Sequence, residues 1–319
     1  MKEALDPMDI VRALERPWMP PQLPETIPHG DMPGDKVQIG AEHVAKANVI
    51  YPALARELLP ALERNPSQRA VVAMCGGSGV GKSEIASVLS YYLTQAGVGS
   101  YTLSGDNYPH RIPRDNDLER LRVYRVGGLR GLVANGLASP DITDRLGELW
   151  RQDEDAEPDP AAEMPWLQTY QRAGRRALAG YLGTPNEIDF DEVSGILARF
   201  KQGAPSLMLK RMGREPSELW YDCVDMTHTH VLIIEWTHGN SDCIEGVDVP
   251  ILLNSTPQET LAHRRTRNRD GKTDSAFTTM VLEIEQQKLV AQAHKARVIL
   301  SKAGELMTYD EYRLLMARA

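Results

Sequence analysis

The chain has 319 residues, 42% hydrophobic and 25% charged, a balance that excludes collagen-like, disordered and disulfide-scaffold proteins. Lys and Arg number 36 against 44 Asp and Glu, so the net charge of −8 disfavours a nucleic-acid partner and requires a local basic patch for any anionic ligand. No apolar stretch approaches the roughly 18 to 20 residues that cross a bilayer, and the three cysteines fit a reducing compartment. We therefore expect a cytoplasmic protein without a membrane partner.

The first 66 residues have the character of a helical and proline-rich extension. Six prolines fall between positions 17 and 33. Proline fixes φ and removes a backbone donor, so this stretch predicts an ordered or semi-ordered strap rather than regular structure. Helical periodicity returns from Val37 to Arg64. We predict an N-terminal helical cap on residues 1–66, ahead of a main domain on residues 67–319.

Five short apolar runs predict the strands of a parallel sheet. They are Ala70–Cys75, Val98–Leu103, Val231–Ile234, Val249–Leu253 and Arg297–Leu300. Each run is mostly β-branched or leucine-rich and is separated from the next by helical stretches, a pattern typical of strands that are buried on both faces of a doubly wound sheet. We therefore predict a three-layer α/β/α fold with a five-stranded parallel sheet.

About 125 residues separate the second and third predicted strands. That length exceeds an ordinary crossover and is too long for a structureless loop. The segment from Trp166 to Leu182 is basic and helix-like, whereas the acidic stretch at 153–160 is typical of a solvated loop. We predict a mainly helical insertion at about 112–225.

A glycine-rich motif directly after the first predicted strand is the strongest functional signal. It runs Gly76-Gly77-Ser78-Gly79-Val80-Gly81-Lys82-Ser83 and matches the phosphate-loop (P-loop) pattern G-x-x-x-x-G-K-S. Glycines let successive backbone N–H groups turn toward a phosphate, the lysine reaches the β and γ phosphates, and the serine hydroxyl binds Mg²⁺. The predicted nucleotide-binding residues are Gly77, Ser78, Gly79, Val80, Gly81, Lys82, Ser83 and Glu84.

Acidic residues follow two further predicted strands. Asp106 comes after the second strand and Glu235 ends the third. Ligands of open parallel sheets bind beyond the carboxyl ends of the strands, so we expect both acids to face the phosphate loop. One acid would hold the Mg²⁺ shell, here Glu235 together with Ser83, and the other would orient an attacking hydroxyl or accept its proton. The alternative is that each acid is an ordinary cap or surface residue.

Residues 263–272 carry four Arg and one Lys against a single Asp. Guanidinium groups bind phosphate oxygens bidentately, so this segment predicts a lid that closes over the transferring phosphoryl group. We assign Arg264 to nucleotide binding and Arg267 and Arg269 to catalysis, alongside Lys82 and Asp106. A solvated helix face that pairs with Glu259 or Asp274 is the alternative.

The order of these motifs resembles the superfamily of uridine kinase, phosphoribulokinase and pantothenate kinase. The resemblance covers roughly residues 69 to 302 and is carried by the P-loop, the Asp106-Asn107-Tyr108 turn, the strand that ends in Glu235 and the arginine segment. It implies that Asp106 is the candidate base and that Glu235 assists magnesium. It also implies that Asp189 or Asp191, in the sequence Ile188-Asp189-Phe190-Asp191, touches the acceptor.

Together these features predict an ATP-dependent kinase that transfers the γ-phosphoryl group of Mg-ATP to a hydroxyl of a small metabolite, such as a nucleoside, sugar, sugar phosphate or hydroxy acid. The expected cofactors are ATP and Mg²⁺. The candidate acceptor-binding residues are Asp106, Tyr108, His110, Arg111, Arg114, Asp189, Asp191 and His238.

Two other functions stay open at this point. The Gly105-Asp106-Asn107 turn, with His110 and Arg111 close by, also resembles the adenylylsulfate kinase motif, and a nucleotide-dependent switch or assembly ATPase would have the same P-loop without a small acceptor. A homodimer is compatible with the sequence, which does not otherwise indicate an oligomeric state.

Overall fold

The structure is a computed structural model that describes residues 18–34, 37–256, 258–261 and 275–317. Residues 18–34, which we call the strap, contain no regular helix or strand. The elements that follow are α1 (Ala41–Arg64), β1 (Ala70–Gly76), α2 (Lys82–Gln95), β2 (Ser100–Ser104), α3 (Pro113–Ala134), α4 (Pro140–Gln152), α5 (Pro158–Glu163), α6 (Pro165–Ala179), α7 (Phe190–Lys201), β3 (Ser206–Met212), β4 (Leu219–Asp225), β5 (Val231–Glu235), β6 (Val249–Leu253), α8 (Ala276–Gln292), β7 (Val298–Leu300), β8 (Leu306–Met307) and α9 (Tyr309–Met316). Short 3-10 turns lie at Gly105–Asn107 and Ala293–Lys295.

The main sheet has the strand order β2-β5-β1-β6-β7-β8. Its first five strands are parallel and correspond to the five predicted runs, so the predicted α/β fold is confirmed. The sixth strand, β8, is two residues long and pairs antiparallel with β7. It was not predicted, because two residues are too few to show a periodic pattern.

Both faces of the sheet are covered, which explains why the strands are apolar throughout. Val72 and Met74 of β1 pack in a cluster with α1 and α2. Val71 and Ala73 point to the other face and pack in a cluster with α7. Helix α1 of the N-terminal extension is therefore part of one of the two helical layers that enclose the sheet.

The segment between β2 and β5 contains five helices and an antiparallel hairpin, β3–β4. Helices α3 and α6 approach each other closely at two glycines, where there is no room for a side chain. A Cβ at Gly128 would lie 2.4 Å from the Tyr170 ring, and one at Gly174 would lie 2.7 Å from the Tyr124 ring. The insertion is mainly helical, as predicted. No helix in the described ranges is long and apolar enough to cross a bilayer.

Candidate active site at the carboxyl edge of the sheet

The phosphate-loop motif forms a tight turn between β1 and α2. Gly79 and Gly81 have φ values of +78° and +95°, which residues with a side chain rarely adopt. Helix α2 begins directly after the turn, so its positive end faces the space that the turn encloses. The His43 ring of α1 lies behind the turn, where a Cβ at Gly81 would come within 2.9 Å of it. This backbone suits an anionic ligand.

Lys82 and Ser83, the last two residues of the motif, point in different directions. The Lys82 Nζ donates hydrogen bonds to the carbonyls of Gly76 and Gly77, both at 3.1 Å, so its charge lies over the turn. The Ser83 Oγ instead donates to Glu235 at 3.1 Å. Of the other predicted nucleotide-binding residues, Val80 and Glu84 are buried.

Glu235 is the last residue of β5, and β5 lies between β1 and β2 in the sheet. Glu235 is therefore flanked by the strand that leads into the phosphate loop and by the strand that leads to Asp106. Its carboxylate accepts a second hydrogen bond from the Ser104 Oγ at 2.7 Å. Burial of the side chain, together with the negative charge of Asp106, raises the pKa of Glu235 to about 8. A buried carboxylate held by two hydroxyl groups is well suited to accept a cation.

This donor set fits Mg²⁺. Among the described residues, no group of three or more His, Cys, Asp or Glu side chains is arranged to hold a metal ion. Mg²⁺ is usually bound by one or two protein oxygens together with phosphate oxygens and water, so Ser83 and Glu235 would be sufficient protein ligands.

Asp106 lies in the 3-10 turn after β2, at the same edge of the sheet as Glu235. Its side chain is exposed. Burial is the main cause of the raised pKa values of Glu235 and Glu285, and the negative charge of Asp106 contributes to both. The ends of two neighbouring strands thus carry one acid each, and their place in a shared acceptor site stays a prediction.

Most of the other predicted acceptor residues lie in two segments of the chain. One segment follows Asp106 and contains Tyr108, and the other leads into α7 and contains Asp189. These segments pair through the hydrogen bond from Asp189 N to the Tyr108 carbonyl, at 2.9 Å, so both residues lie close together. Tyr108 is buried, and the Asp189 carboxylate caps α7 by accepting a hydrogen bond from Glu192 N at 2.9 Å, while Asp191 is exposed.

Three further candidates contact protein groups in the same region. His110 Nε2 lies 2.9 Å from the Pro185 carbonyl, Arg111 donates to the Tyr181 hydroxyl at 3.1 Å, and the exposed Arg114 lies 3.8 Å from Glu215. Each of these contacts supports the local structure, so a role in acceptor binding stays a prediction for these residues.

A polar cluster of Arg120, Glu187, His238 and Glu285 lies next to the site, with Glu187 and His238 buried and the other two half-buried. Glu187 accepts hydrogen bonds from Arg120 and from the Asn116 amide, and Arg120 also lies 3.9 Å from Glu285. Burial lowers the pKa of His238 to about 4 and raises the pKa of Glu285 to about 6. Of the four residues, sequence analysis singled out His238 alone, because the others are far apart in the chain and match no motif.

The three lid arginines, Arg264, Arg267 and Arg269, lie outside the described residues. The described residues on either side of them lie near the P-loop, where a small cleft is bordered by Gly77, Ser78, Ser255, Thr256, Thr260, Leu282, Glu285 and Gln286.

Comparison with known proteins gives partial matches over the nucleotide half of the chain. The family model for adenylylsulphate kinase matches residues 68–127, from β1 into α3, which is less than half of the chain. An adenylyl-sulfate kinase of Erwinia tasmaniensis is 40% identical over 70 residues, or 21% of this chain and 35% of that protein.

A longer match extends through the insertion. A bifunctional alpha-galactosidase/sucrose kinase of Mediterraneibacter gnavus is 38% identical over 242 residues, which is 76% of this chain and 21% of that protein. The chain thus spans about a fifth of the length of this relative and about a third of the other. A solved D-glycerate 3-kinase from Cryptococcus neoformans aligns with 84% of this chain and 98% of its own at 11% identity, with a TM-score of 0.41. The family model and the curated relatives confirm the resemblance to P-loop kinases.

Proposed function

We propose that the chain is a kinase that transfers the γ-phosphoryl group of Mg-ATP to a hydroxyl group of a small metabolite. The observation that carries this proposal is the arrangement of Lys82, Ser83 and Glu235 around one phosphate-loop turn, with Asp106 at the neighbouring strand end. A nucleotide-dependent switch would have the same loop, so the transfer assay below distinguishes it from a kinase.

The residues of the chain have distinct tasks in this reaction. The amides of residues 77–81 and the Lys82 ammonium would hold the phosphates, and Ser83 and Glu235 would hold Mg²⁺. ATP would supply the phosphoryl group, and the bound Mg²⁺ would neutralise part of the negative charge on the phosphate oxygens. Lys82 stabilises negative charge on the phosphate oxygens, and Asp106 orients the acceptor hydroxyl and takes its proton.

We propose a carbohydrate as the acceptor. The supporting observation is the 38% identity to a protein named as a sucrose kinase, over a match longer than the nucleotide half of this chain. The site also offers suitable groups, since Asp106 is exposed, Glu285 borders the cleft, and carboxylates accept hydrogen bonds from sugar hydroxyls. Neutral His238 belongs to the polar cluster next to them. Asp106 and His238 therefore stay in the proposed acceptor site.

Adenylylsulfate is the second candidate acceptor, because the matched family model covers the P-loop and the Asp106 turn. That match ends in α3 and leaves out most of the insertion. A carbohydrate acceptor agrees better with the longer match.

The test is a transfer assay with γ-labelled ATP, Mg²⁺ and one of three acceptor conditions: a panel of sugars that includes sucrose, adenylylsulfate, or no acceptor. We expect label on a sugar. Lys82→Ala should reduce the transfer at least about 100-fold, because it removes a charge that stabilises the transition state. Lys295→Ala, which removes a surface lysine paired with Asp242, is the matched control and should leave the rate unchanged.

Label on adenylylsulfate would favour the second candidate. Label released only as inorganic phosphate, at a rate that no acceptor alters, would contradict the kinase proposal and favour a switch or assembly ATPase.

A further inference from the structure

The strap crosses the carboxyl edge of the sheet beside the candidate active site. Gly30 is buried, and a Cβ at this position would lie 3.4 Å from Glu235 Oε1 and 3.9 Å from Thr102 Cγ2. The backbone of the N-terminal extension therefore packs against the carboxylate that is proposed to hold Mg²⁺.

Asp31, the next residue of the strap, is bonded on both sides of the turn that carries Asp106. Its Oδ1 accepts hydrogen bonds from the Ser104 amide at 2.7 Å and from the Asn107 side-chain amide at 3.2 Å. Ser104 precedes the turn and Asn107 ends it. One carboxylate oxygen thus holds both ends of the three-residue turn.

The second oxygen of Asp31 is anchored by Tyr101 and Arg211. The Tyr101 hydroxyl donates to Oδ2 at 3.0 Å and Arg211 Nη1 donates at 2.8 Å. The side chains of Asp31 and Arg211 are only 8% and 7% exposed, so this ion pair is shielded from water. Shielding makes the pair sensitive to the loss of either member.

The hairpin β3–β4 completes the anchorage. Arg211 of β3 also bonds Asp222 of β4 at 3.0 Å, and the Asn107 side-chain oxygen accepts a hydrogen bond from the Met212 amide at 2.9 Å. The Asp106 turn is therefore fixed by two elements that are distant in the chain, the strap and the hairpin.

We propose that Asp31 is a positioning residue for phosphoryl transfer. It fixes the turn that presents Asp106, and it also fixes Ser104, whose hydroxyl bonds Glu235 at 2.7 Å. The inference rests on the proposed function. Displacement of a reacting group by about 1 Å costs roughly 100-fold in rate, so the loss of this anchor should affect turnover although Asp31 itself touches neither substrate.

The test compares Asp31→Asn with Asp248→Asn. Asp248 makes the same kinds of contact at the opposite edge of the sheet: it accepts a hydrogen bond from the Val71 amide at 2.9 Å and pairs with Lys201 at 2.7 Å. Both variants lose a buried or half-buried ion pair and should be destabilised in a similar way. Only Asp31 is connected to the Asp106 turn.

We expect Asp31→Asn to lower kcat about 10- to 100-fold with a small change in the KM for ATP. We also expect faster amide hydrogen exchange in residues 101–108. Asp248→Asn should show neither effect. Arg211→Lys keeps the positive charge but loses the separate guanidinium contacts, so it should give the same two changes with smaller amplitude. If Asp31→Asn does not fold, Arg211→Lys takes its place in the comparison.

Hydrogen exchange does not depend on the reaction, so it separates the two proposals. A wild-type chain that transfers no phosphate contradicts the proposed function, while the exchange result still decides whether Asp31 holds the turn. Wild-type turnover by Asp31→Asn, or exchange in residues 101–108 that rises equally in Asp248→Asn, would overturn the inference.

Discussion

Two buried carboxylates in different regions of the molecule have opposite surroundings. Glu235, at the carboxyl edge of the sheet, is 3% exposed and accepts hydrogen bonds from the hydroxyls of Ser83 and Ser104. Asp155, in the helical insertion, is 2% exposed and pairs with Arg125 at 2.8 Å. The Tyr170 hydroxyl donates a further bond to Asp155, also at 2.8 Å.

The two acids are equally buried, so burial alone does not distinguish a structural acid from a functional one. The chain itself supplies the counterion of Asp155. Glu235 is held by neutral hydroxyls, and its pKa of about 8 shows that its charge is costly in this environment. A buried acid whose bonded partners are neutral is prepared for a cation that arrives with the ligand.

The largest expected effect is on the reaction itself. Glu235→Gln should reduce phosphoryl transfer at least about 100-fold, because the amide cannot offer a charged oxygen to Mg²⁺. Its free energy of unfolding at pH 7 should stay within about 1 kcal/mol of wild type, because glutamine resembles the protonated acid. Its oxygen can accept a hydrogen bond from one of the two serine hydroxyls, and its NH2 group can donate to the other. Transfer assays and urea unfolding measure the two quantities, and a large loss of stability would show that Glu235 is a structural acid.

Asp155→Asn should give the opposite result. The variant leaves the Arg125 charge without its closest partner, so we expect a loss of about 2–3 kcal/mol in the free energy of unfolding. The transfer rate of the folded fraction should match wild type, because Asp155 lies in the packed core of the insertion with Tyr124 and Tyr170. A stable but inactive Asp155→Asn protein would contradict the distinction between the two acids.

The smallest expected effect concerns pH. Because burial lowers the pKa of His238 to about 4 from an ordinary value of 6.5, the unfolded chain binds a proton that the folded chain rejects. Stability should therefore fall as the pH drops from 6.5 toward 4, by about 2 kcal/mol at pH 5 from this residue. Urea unfolding at pH 7 and pH 5 measures this change. The free energy of unfolding of His238→Gln should fall by about 2 kcal/mol less than that of the wild type over this range. An equal fall in both proteins would show that other groups dominate the pH dependence.

The sheet and the phosphate loop could be predicted because their signals are local. Each parallel strand is a short apolar run, and the P-loop is eight consecutive residues whose glycine spacing reflects backbone geometry at Gly79 and Gly81. The positions of Asp106 and Glu235 also followed, since parallel strands end at the same edge of the sheet.

The remaining parts of the site could not be predicted because they depend on contacts between distant residues. Asp31 meets Ser104 and Arg211, and Glu187 meets Arg120, through packing that no periodicity records. The hairpin β3–β4 carries its buried residues mainly on β3, while β4 is largely exposed, so its sequence does not show a clear strand pattern. The arginine lid stays a prediction.

The ion pair between Asp31 and Arg211 joins residues that are 180 positions apart. Closing a loop of this length costs conformational entropy, so we expect this contact to form late in folding. The β1–loop–α2 unit, by contrast, is built from neighbours in sequence. A partly folded chain can therefore have a formed phosphate loop before its acid turn is fixed.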